Sequence, residues 1–253
     1  MLLDLDQTVI FGGGSVGQDG ARVVEHIDGA AAAVMSVAAW EPLTALAEEH
    51  EVVPVTTRTL AQLARVRLPA AVRRAVCANG GRLVVDGVPD RRWAAWVAWR
   101  AGGAVPLPEA QAVLARAQGA WVRTVRTADD LFGYVVATDP NAIDATWLTT
   151  AQEWAEHAGW VLSRQGRKAY LVPGWLSKEA ALQRLRRPGQ RVLAAGDSLL
   201  DAGMLCAADL GVRPAHGELG RQPWLVPDVE VADGATALDR GEQVLRRLAQ
   251  ALA

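Results

Sequence analysis

The sequence predicts an α/β protein in which a doubly wound parallel sheet carries an inserted second domain of the α+β type. Three observations support this fold class. Apolar strands alternate with helices near the start of the chain, strands occur in adjacent pairs in its middle, and the alternation resumes after Pro173-Gly174. Alternation is typical of parallel sheets, whereas adjacent strands favour antiparallel pairing. We therefore expect a parallel domain at 1–81 and 172–253 and the insertion at 82–171.

The first part of the chain contains strands and helices in turn. Met1 to Asp4 is a short apolar run that ends in acidic residues, and its shortness leaves open a natural start further upstream. A glycine-rich segment at 12–17 predicts a flexible loop. The elements after this loop are predicted to be helix Ser36–His50, strand Val52–Thr56, helix Thr59–Val66 and strand Ala75–Ala78.

The insertion follows a turn at Asn79-Gly80-Gly81 and has a different order of elements. Its paired strands predict an antiparallel sheet with helices on one face. The predicted elements are strand Leu83–Val85, helices Arg92–Ala101 and Glu109–Gln118, strands Trp121–Arg126 and Phe132–Ala137, helix Ala142–Ala158, and strands Trp160–Ser163 and Ala169–Val172.

The final part of the chain returns to the parallel pattern. Ser177 is expected to cap the next helix, because serine is a preferred N-cap residue. The predicted elements are helix Ser177–Arg186, strand Arg191–Ala195, helix Leu199–Ala207, strand Leu210–Val212 and helix Ala235–Leu252.

Composition excludes several classes of protein. Of the 253 residues 51% are hydrophobic and 21% charged, as in a globular protein, and the net charge of -2 indicates no basic surface for nucleic acid. No Lys/Arg cluster points to a membrane surface, and no apolar run is long enough to span a membrane. Cys77 and Cys206 lack the spacing of a zinc site or disulfide framework. Without a recognisable signal peptide, we expect a cytoplasmic protein. For its oligomeric state we expect a monomer or a small homo-oligomer.

The segment Asp4-Leu5-Asp6-Gln7-Thr8 follows the first predicted strand. Ligands in open α/β sheets bind at the carboxyl ends of the strands, so both carboxylates are expected to reach one site. An ionised carboxylate can attack phosphorus, and a second, protonated carboxyl can supply the proton of the leaving group. The alternative interpretation is an acidic turn without a catalytic role.

Two further segments offer groups for a bound phosphate. Thr56, Thr57 and Arg58 follow a predicted strand and precede a helix, so they are candidate substrate-binding residues. Alternatively, one of the threonines caps that helix. Lys178 lies in the first turn of a predicted helix, where a cation opposes the helix dipole. It would neutralise Asp4 and a transferring phosphoryl group, although a solvated surface lysine is the commoner role.

The segment Gly196-Asp197-Ser198 follows an apolar strand, and Asp201 comes one helical turn after Asp197. Two carboxylates at this spacing suit Mg²⁺, which binds through one or two carboxylates, waters and the oxygens of a substrate phosphate. This segment is the most specific of the four, and it makes Mg²⁺ the expected cofactor.

The four motifs in this order resemble those of the haloacid dehalogenase superfamily of phosphohydrolases. The resemblance covers the parallel domain, and the insertion resembles the C2-type cap of the Cof-type branch. Within that branch, the segment VVPVTTRT at 52–59 is similar to the second motif of mannosyl-3-phosphoglycerate phosphatases, and sucrose-phosphate phosphatases are also similar. The resemblance implies a haloacid dehalogenase-like Rossmannoid core with an α+β cap.

The resemblance also implies a role for each motif residue. The nucleophile and the acid/base would sit two residues apart, and the metal would be held by carboxylates and one backbone carbonyl. The implied roles are nucleophile and metal ligand for Asp4, acid/base and carbonyl ligand for Asp6, phosphate binding for Thr56, charge neutralisation for Lys178, and Mg²⁺ ligation for Asp197 and Asp201.

Two residues depart from the pattern of the superfamily, and one motif is set aside. Gln7 stands where many members have glycine, and Leu200 where Cof-type members usually have asparagine, which removes one polar group beside the metal. Residues 12–17 match the dinucleotide pattern GxGxxG, but aspartates intervene between the first strand and these glycines, so we do not expect NAD binding.

The expected function is hydrolysis of a small phosphorylated metabolite, such as a sugar or polyol phosphate, through an aspartyl-phosphate. Two alternatives remain open from the sequence. One is phosphoryl transfer to another hydroxyl of a sugar, as in phosphomutases, because the same residues serve both outcomes. The other is a ligand-binding or regulatory protein with little turnover, which Leu200 alone motivates.

Overall fold

The computed structural model forms two compact units. One unit, here called the parallel unit, comprises Met1–Asp90 and Lys178–Ala253, and the other, the inserted unit, comprises Arg91–Ser177. The inserted unit thus starts and ends later in the chain than the predicted insertion at 82–171. The structure describes residues 1–14, 19–222 and 229–252.

The parallel unit before the insertion contains two strands of the parallel sheet, two antiparallel sheets and two helices. In chain order, its elements are β1 (Leu2–Leu3), β2 (Phe11–Gly12), β3 (Ala21–Ile27), β4 (Ala30–Ser36), α1 (Val37–Glu49), β5 (Val53–Pro54), α2 (Leu60–Leu63), β6 (Arg74–Cys77), β7 (Arg82–Val85) and β8 (Val88–Pro89).

The inserted unit places helices before and between its strands. In chain order, its elements are α3 (Arg91–Ala101), α4 (Leu107–Ala115), β9 (Val122–Ala128), β10 (Phe132–Ala137), α5 (Ala145–Ala158), β11 (Trp160–Gln165) and β12 (Lys168–Pro173).

The parallel unit resumes after the insertion with helices and strands in alternation. Its remaining elements are α6 (Lys178–Leu185), β13 (Leu193–Ala195), α7 (Leu199–Ala207), β14 (Leu210–Pro214), α8 (Glu218–Arg221), β15 (Val229–Ala232) and α9 (Ala237–Gln250).

The predicted parallel sheet is confirmed, with the strand order β15-β14-β13-β1-β5 and parallel pairing throughout. Strand β1 lies inside the sheet, next to the edge strand β5, and its Leu2 pairs with Ala194 on one side and Val53 on the other. All three residues are buried, which explains the uninterrupted apolar runs in the sequence. Helices α7 and α9 both contact β13 and β14.

Strands β7 and β8 explain the late start of the inserted unit. The sequence assigns Leu83 to the insertion, but β7 pairs with β6, and β8 pairs with β7, in an antiparallel sheet. Strand β6 in turn joins the parallel unit through a parallel bridge between Val55 and Val76. Cys77, at the end of β6, is buried, whereas Cys206 on α7 is exposed.

A three-stranded antiparallel sheet, β2-β4-β3, follows the aspartate motif and was not predicted. Its hairpin turns at Asp28-Gly29, where both residues have positive φ (51° and 79°), as a two-residue turn of this kind requires. The Asp-Gly pair was a usable signal, but the alanines of β4 lack the bulk typical of strands. Of the predicted loop at 12–17, Gly12 belongs to β2, and residues 15–17 lie outside the described part.

The inserted unit is an antiparallel sheet of order β11-β12-β10-β9, in agreement with the prediction. Helix α4 packs on β10 through Gly133, because a Cβ there would overlap the Leu114 side chain. Helix α5 starts later than predicted because Asp144 is its N-cap and accepts a hydrogen bond from the Trp147 N–H at 2.6 Å. Among the described helices, none combines the length and apolarity needed to cross a membrane.

Candidate active site

Asp4 continues strand β1 at the carboxyl edge of the parallel sheet. Its N–H donates to the carbonyl oxygen of Ala195 at 2.9 Å, so the hydrogen bonding of the two-residue strand β1 extends to Asp4. The following turn brings Thr8 back beside Asp4, and Thr8 Oγ1 donates to Asp4 Oδ2 at 2.9 Å. The Asp4 side chain is thereby fixed in a buried position with an exposed fraction of 6%.

Lys178 provides the cation of the site. It is the first residue of α6, it is 1% exposed, and its Nζ donates to Asp4 Oδ1 and Asp201 Oδ1, both at 2.5 Å. Burial opposes the charged form of Lys178, but Asp201 and Asp4 outweigh it and raise the pKa of the lysine. The ammonium group therefore stays charged between two carboxylates, which rules out the alternative of a solvated surface lysine.

Asp4, Asp197 and Asp201 form a buried group in which oxygen atoms from each lie within 4.8 Å of one another. Burial raises the pKa of Asp4 to about 7, against the attraction of Lys178, and nearby Asp201 contributes to the rise. Burial raises the pKa of Asp197 well above its ordinary value, and the nearby charges of Asp4 and Asp201 raise it further. Three crowded carboxylates with one lysine fit a divalent cation, and hard oxygen donors suit Mg²⁺.

Two glycines allow the acidic loop to close tightly around these carboxylates. A Cβ at Gly196 would overlap the Asp201 side chain, and Gly217 has a φ of 89° and would overlap Asp197 if it carried a Cβ. Asp201 Oδ2 accepts hydrogen bonds from the Asp197 and Ser198 N–H groups at 3.1 and 2.9 Å and from Ser198 Oγ at 2.7 Å. The second acid of the motif is thus held by the start of α7.

Asp6 lies apart from this buried group and turns its carboxylate to Arg58. Nε and Nη2 of Arg58 donate to the two oxygens of Asp6 at 2.7 and 2.8 Å. The Asp6 side chain is 34% exposed, so it remains accessible, whereas that of Arg58 is 11% exposed. The Asp6 carboxylate belongs to a different cluster, and its predicted metal ligation through the backbone carbonyl stays a prediction.

The candidate phosphate-binding residues follow β5 at the same edge of the sheet. Thr56 is fully buried and Thr57 nearly so, and Thr56 Oγ1 accepts from the Arg58 N–H at 3.1 Å. Neither threonine caps α2, because the N-cap is Thr59, which forms a capping box with Gln62. The alternative interpretation, in which Thr56 or Thr57 caps the helix, is therefore wrong for both threonines.

Solved structures of sugar phosphatases match the chain over nearly its whole length. A sucrose-phosphatase from Synechocystis sp. PCC6803 is 16% identical with a TM-score of 0.62, and the match covers 98% of this chain and 96% of that chain. A subclass IIB sugar phosphatase of the haloacid dehalogenase superfamily is 13% identical with a TM-score of 0.62, covering 98% of each chain. The chain has the haloacid dehalogenase fold.

A third structure with this fold supports the same assignment. The C-terminal domain of the C. albicans trehalose-6-phosphate phosphatase is 11% identical with a TM-score of 0.59, and the match covers 100% of this chain and 92% of that domain. No family model and no curated protein matches the sequence. The resemblance to haloacid dehalogenase proteins that the motifs predicted is confirmed for the fold.

Two acidic residues beside the site of this haloacid dehalogenase fold were missed in the sequence. Glu25 of β3 is 3% exposed and accepts from Arg58 Nη1 at 2.6 Å. Glu218 of α8 is 5% exposed and accepts from the Leu199 N–H at 3.0 Å. Glu218 follows β14 at the carboxyl edge of the sheet, so the strand-end rule could have found it. No comparable signal marks Glu25.

The backbone conformation of Gln7 favours glycine, which is the residue that the resemblance led us to expect at this position. The φ of Gln7 is 65°, a left-handed conformation that disfavours residues with a Cβ. The turn is held by the bond from the Gln7 N–H to the Ile10 carbonyl at 2.8 Å and by a 2.7 Å contact of His216 Nε2 with the Gln7 carbonyl. The other departure, Leu200, is 8% exposed in the first turn of α7.

Proposed function

We propose that the protein is a magnesium-dependent phosphomonoesterase that hydrolyses a small phosphorylated sugar or polyol through an aspartyl-phosphate intermediate. The observation that carries this proposal is the buried Asp4 carboxylate, bonded to Lys178 Nζ at 2.5 Å beside Asp197 and Asp201. Binding alone would not require a nucleophile with a second acid two residues away. The sugar phosphatases that share this fold favour a sugar phosphate as the substrate class.

In the first step, an oxygen of the Asp4 carboxylate forms a bond to phosphorus while the ester P–O bond breaks. The electron pair of that bond stays on the leaving oxygen, which takes a proton from Asp6. For this step Asp6 carries the proton on one oxygen, while Arg58 remains bound to the other. In the second step, water gives a proton to Asp6 and its oxygen displaces Asp4 from phosphorus. Inorganic phosphate is released and both aspartates return to their starting states.

The residues of this chain supply position and charge for both steps. Lys178 holds Asp4 Oδ1 and Thr8 holds Asp4 Oδ2, which limits the rotation of the nucleophile. Lys178 also offsets the negative charge that a phosphate ester would bring. Thr56 and Thr57 would donate hydroxyl hydrogens to the phosphate oxygens.

Asp4, Asp197 and Asp201, with the backbone carbonyl of Asp6, would hold Mg²⁺. The three side chains are buried and their oxygens converge, which supports this ligand set. A bound Mg²⁺ would offset the charge of the transferring phosphoryl group. Ion binding would also relieve the repulsion among the carboxylates.

Assays with p-nitrophenyl phosphate and a panel of sugar phosphates in the presence of Mg²⁺ test the proposal. We expect Asp4→Asn to lower kcat by at least about 10³-fold while the far-UV circular dichroism stays the same. Asp86→Asn is a matched control, because it also removes one carboxylate from an ion pair, Arg73–Asp86, on the surface of the same unit. Unchanged turnover in Asp4→Asn would reject the proposed nucleophile.

A further inference from the structure

Glu25 is aimed inward by an irregularity in strand β3. The pairing of β3 with β4 shifts register on both sides of Glu25, between Val23 and Glu25 and between Glu25 and His26. Val24 and Glu25 are consequently both buried, at 0% and 3% exposure, although neighbouring side chains of a regular strand point to opposite faces. Such bulges redirect side chains and are frequent beside active sites.

The inward-facing Glu25 carboxylate is paired with two arginines. Oε2 accepts from Arg58 Nη1 at 2.6 Å, and Oε1 accepts from Arg65 Nε at 3.0 Å. The bulge itself is tied to the neighbouring segment, because the Arg67 N–H donates to the Val24 carbonyl at 2.7 Å. A carboxylate this deeply buried requires such partners, since an unpaired buried charge is strongly destabilising.

Arg58 connects Glu25 to Asp6. One nitrogen of its guanidinium group binds Glu25, and the other two bind both oxygens of Asp6, at 2.7 and 2.8 Å. The planar guanidinium group has a fixed geometry, so its contact with Glu25 sets the direction in which it presents the remaining N–H groups. The position of the Asp6 carboxylate therefore depends on Glu25.

We infer that Glu25 is a positioning residue that orients Asp6, through Arg58, toward the leaving oxygen of the substrate. This inference rests on the proposed function. Asp6 has to meet the leaving oxygen and then a water molecule, and its 34% exposure allows both. The hairpin thereby contributes to the specificity of the enzyme for substrates whose leaving group needs a proton.

The dependence of the rate on the leaving group separates this role from a merely structural one. p-Nitrophenolate departs without a proton, whereas the more basic phenolate benefits from one. Phenyl phosphate and p-nitrophenyl phosphate have similar shapes, so the ratio of their kcat/KM values isolates proton donation. Since kcat/KM covers only the steps through departure of the leaving group, later hydrolysis of the phosphoaspartate does not enter. The fraction of folded enzyme also cancels in the ratio.

We expect Glu25→Gln to lower the ratio of phenyl phosphate to p-nitrophenyl phosphate kcat/KM by about tenfold, as weakened general acid catalysis requires. Asp6→Asn should lower it at least as much, and adding Glu25→Gln to Asp6→Asn should change it no further. Asp86→Asn, which removes an exposed partner of Arg73, should leave the ratio at the wild-type value.

A ratio in Glu25→Gln equal to that of wild type would overturn the inference, as would a further fall when Glu25→Gln is added to Asp6→Asn. Failure of the proposed function looks different. In that case the wild type hydrolyses neither aryl phosphate, or Asp4→Asn retains the activity.

Discussion

The two aspartates of the first motif lie two residues apart in different surroundings. The Asp4 side chain is 6% exposed and is bonded to Lys178 and Thr8, close to where β1 ends. The Asp6 side chain is 34% exposed and is bonded to Arg58, whose other partner belongs to a hairpin outside the parallel sheet. A nucleophile benefits from a single fixed position, whereas an acid/base residue serves two partners in succession. In the proposed mechanism, the contacts beside β1 fix the nucleophile Asp4, and the hairpin orients the acid/base Asp6 through Arg58.

Lys178→Met removes the cation that holds Asp4 and should have the largest effect on stability. It leaves three buried carboxylates without their cation, so we expect a loss of about 3–5 kcal/mol in the free energy of unfolding. Arg58→Gln should cost less, about 2 kcal/mol, because Arg65 still pairs with Glu25 and Asp6 has access to water. Urea unfolding at pH 8 with EDTA measures both variants. If Arg58→Gln lost as much free energy of unfolding as Lys178→Met, or more, the assigned difference between the surroundings of Asp4 and Asp6 would be wrong.

The binding of Mg²⁺ separates the two aspartates further. It should depend on the buried group of Asp4, Asp197 and Asp201 and not on the side chain of Asp6. We expect Mg²⁺ at about 100 times its Kd to stabilise the wild type by about 2–3 kcal/mol through mass action. Asp197→Asn should abolish this gain, since it removes a carboxylate from the buried group. Asp6→Asn should retain it, because that side chain faces Arg58. Thermal unfolding and calorimetric titration with MgCl₂ measure the gain.

Two results would contradict the assignment of the ion to the buried group. One is equal stabilisation of Asp197→Asn and wild type by Mg²⁺. The other is loss of stabilisation in Asp6→Asn, which would place the Asp6 side chain in the ion site. CaCl₂ serves as a control for ion size, because Mg²⁺ requires shorter bonds to oxygen than Ca²⁺ does.

The group formed by Asp4, Lys178, Asp197 and Asp201 was predictable because each residue follows a recognisable strand or lies in the first turn of a helix. Buried parallel strands give continuous apolar runs, and the carboxyl ends of such strands converge. That rule alone brings Asp4 and Asp197 together, although the sequence separates them widely. Lys178 needed the resemblance as well, since a lone lysine carries little information in a single sequence.

The contacts of Asp6 with Arg58 and of Arg58 with Glu25 were not predictable from the same rules. Glu25 occupies a bulge, and a bulge interrupts the alternation from which strands are recognised. Its partner Arg58 lies 33 residues further along the chain, and the contact arises from tertiary folding. Arg58 itself was found, but as a phosphate ligand, and its pairing with Asp6 had no local signature. Side chains that act through others leave weaker traces in a sequence than those at strand ends.

The turn that follows the two aspartates gives the smallest effect and the most local test. Gln7, between them and Thr8, adopts a φ of 65°, which costs a residue with a Cβ about 1 kcal/mol. Gln7→Gly removes that strain but adds freedom to the unfolded chain, so we expect a net stabilisation of about 0.5 kcal/mol. Gln7→Ala is the matched control, because it removes the same side chain and keeps the strain. Urea unfolding of the three proteins decides the question: if the alanine variant gains as much stability as the glycine variant, the left-handed conformation in the turn after Asp6 is not the source of the strain.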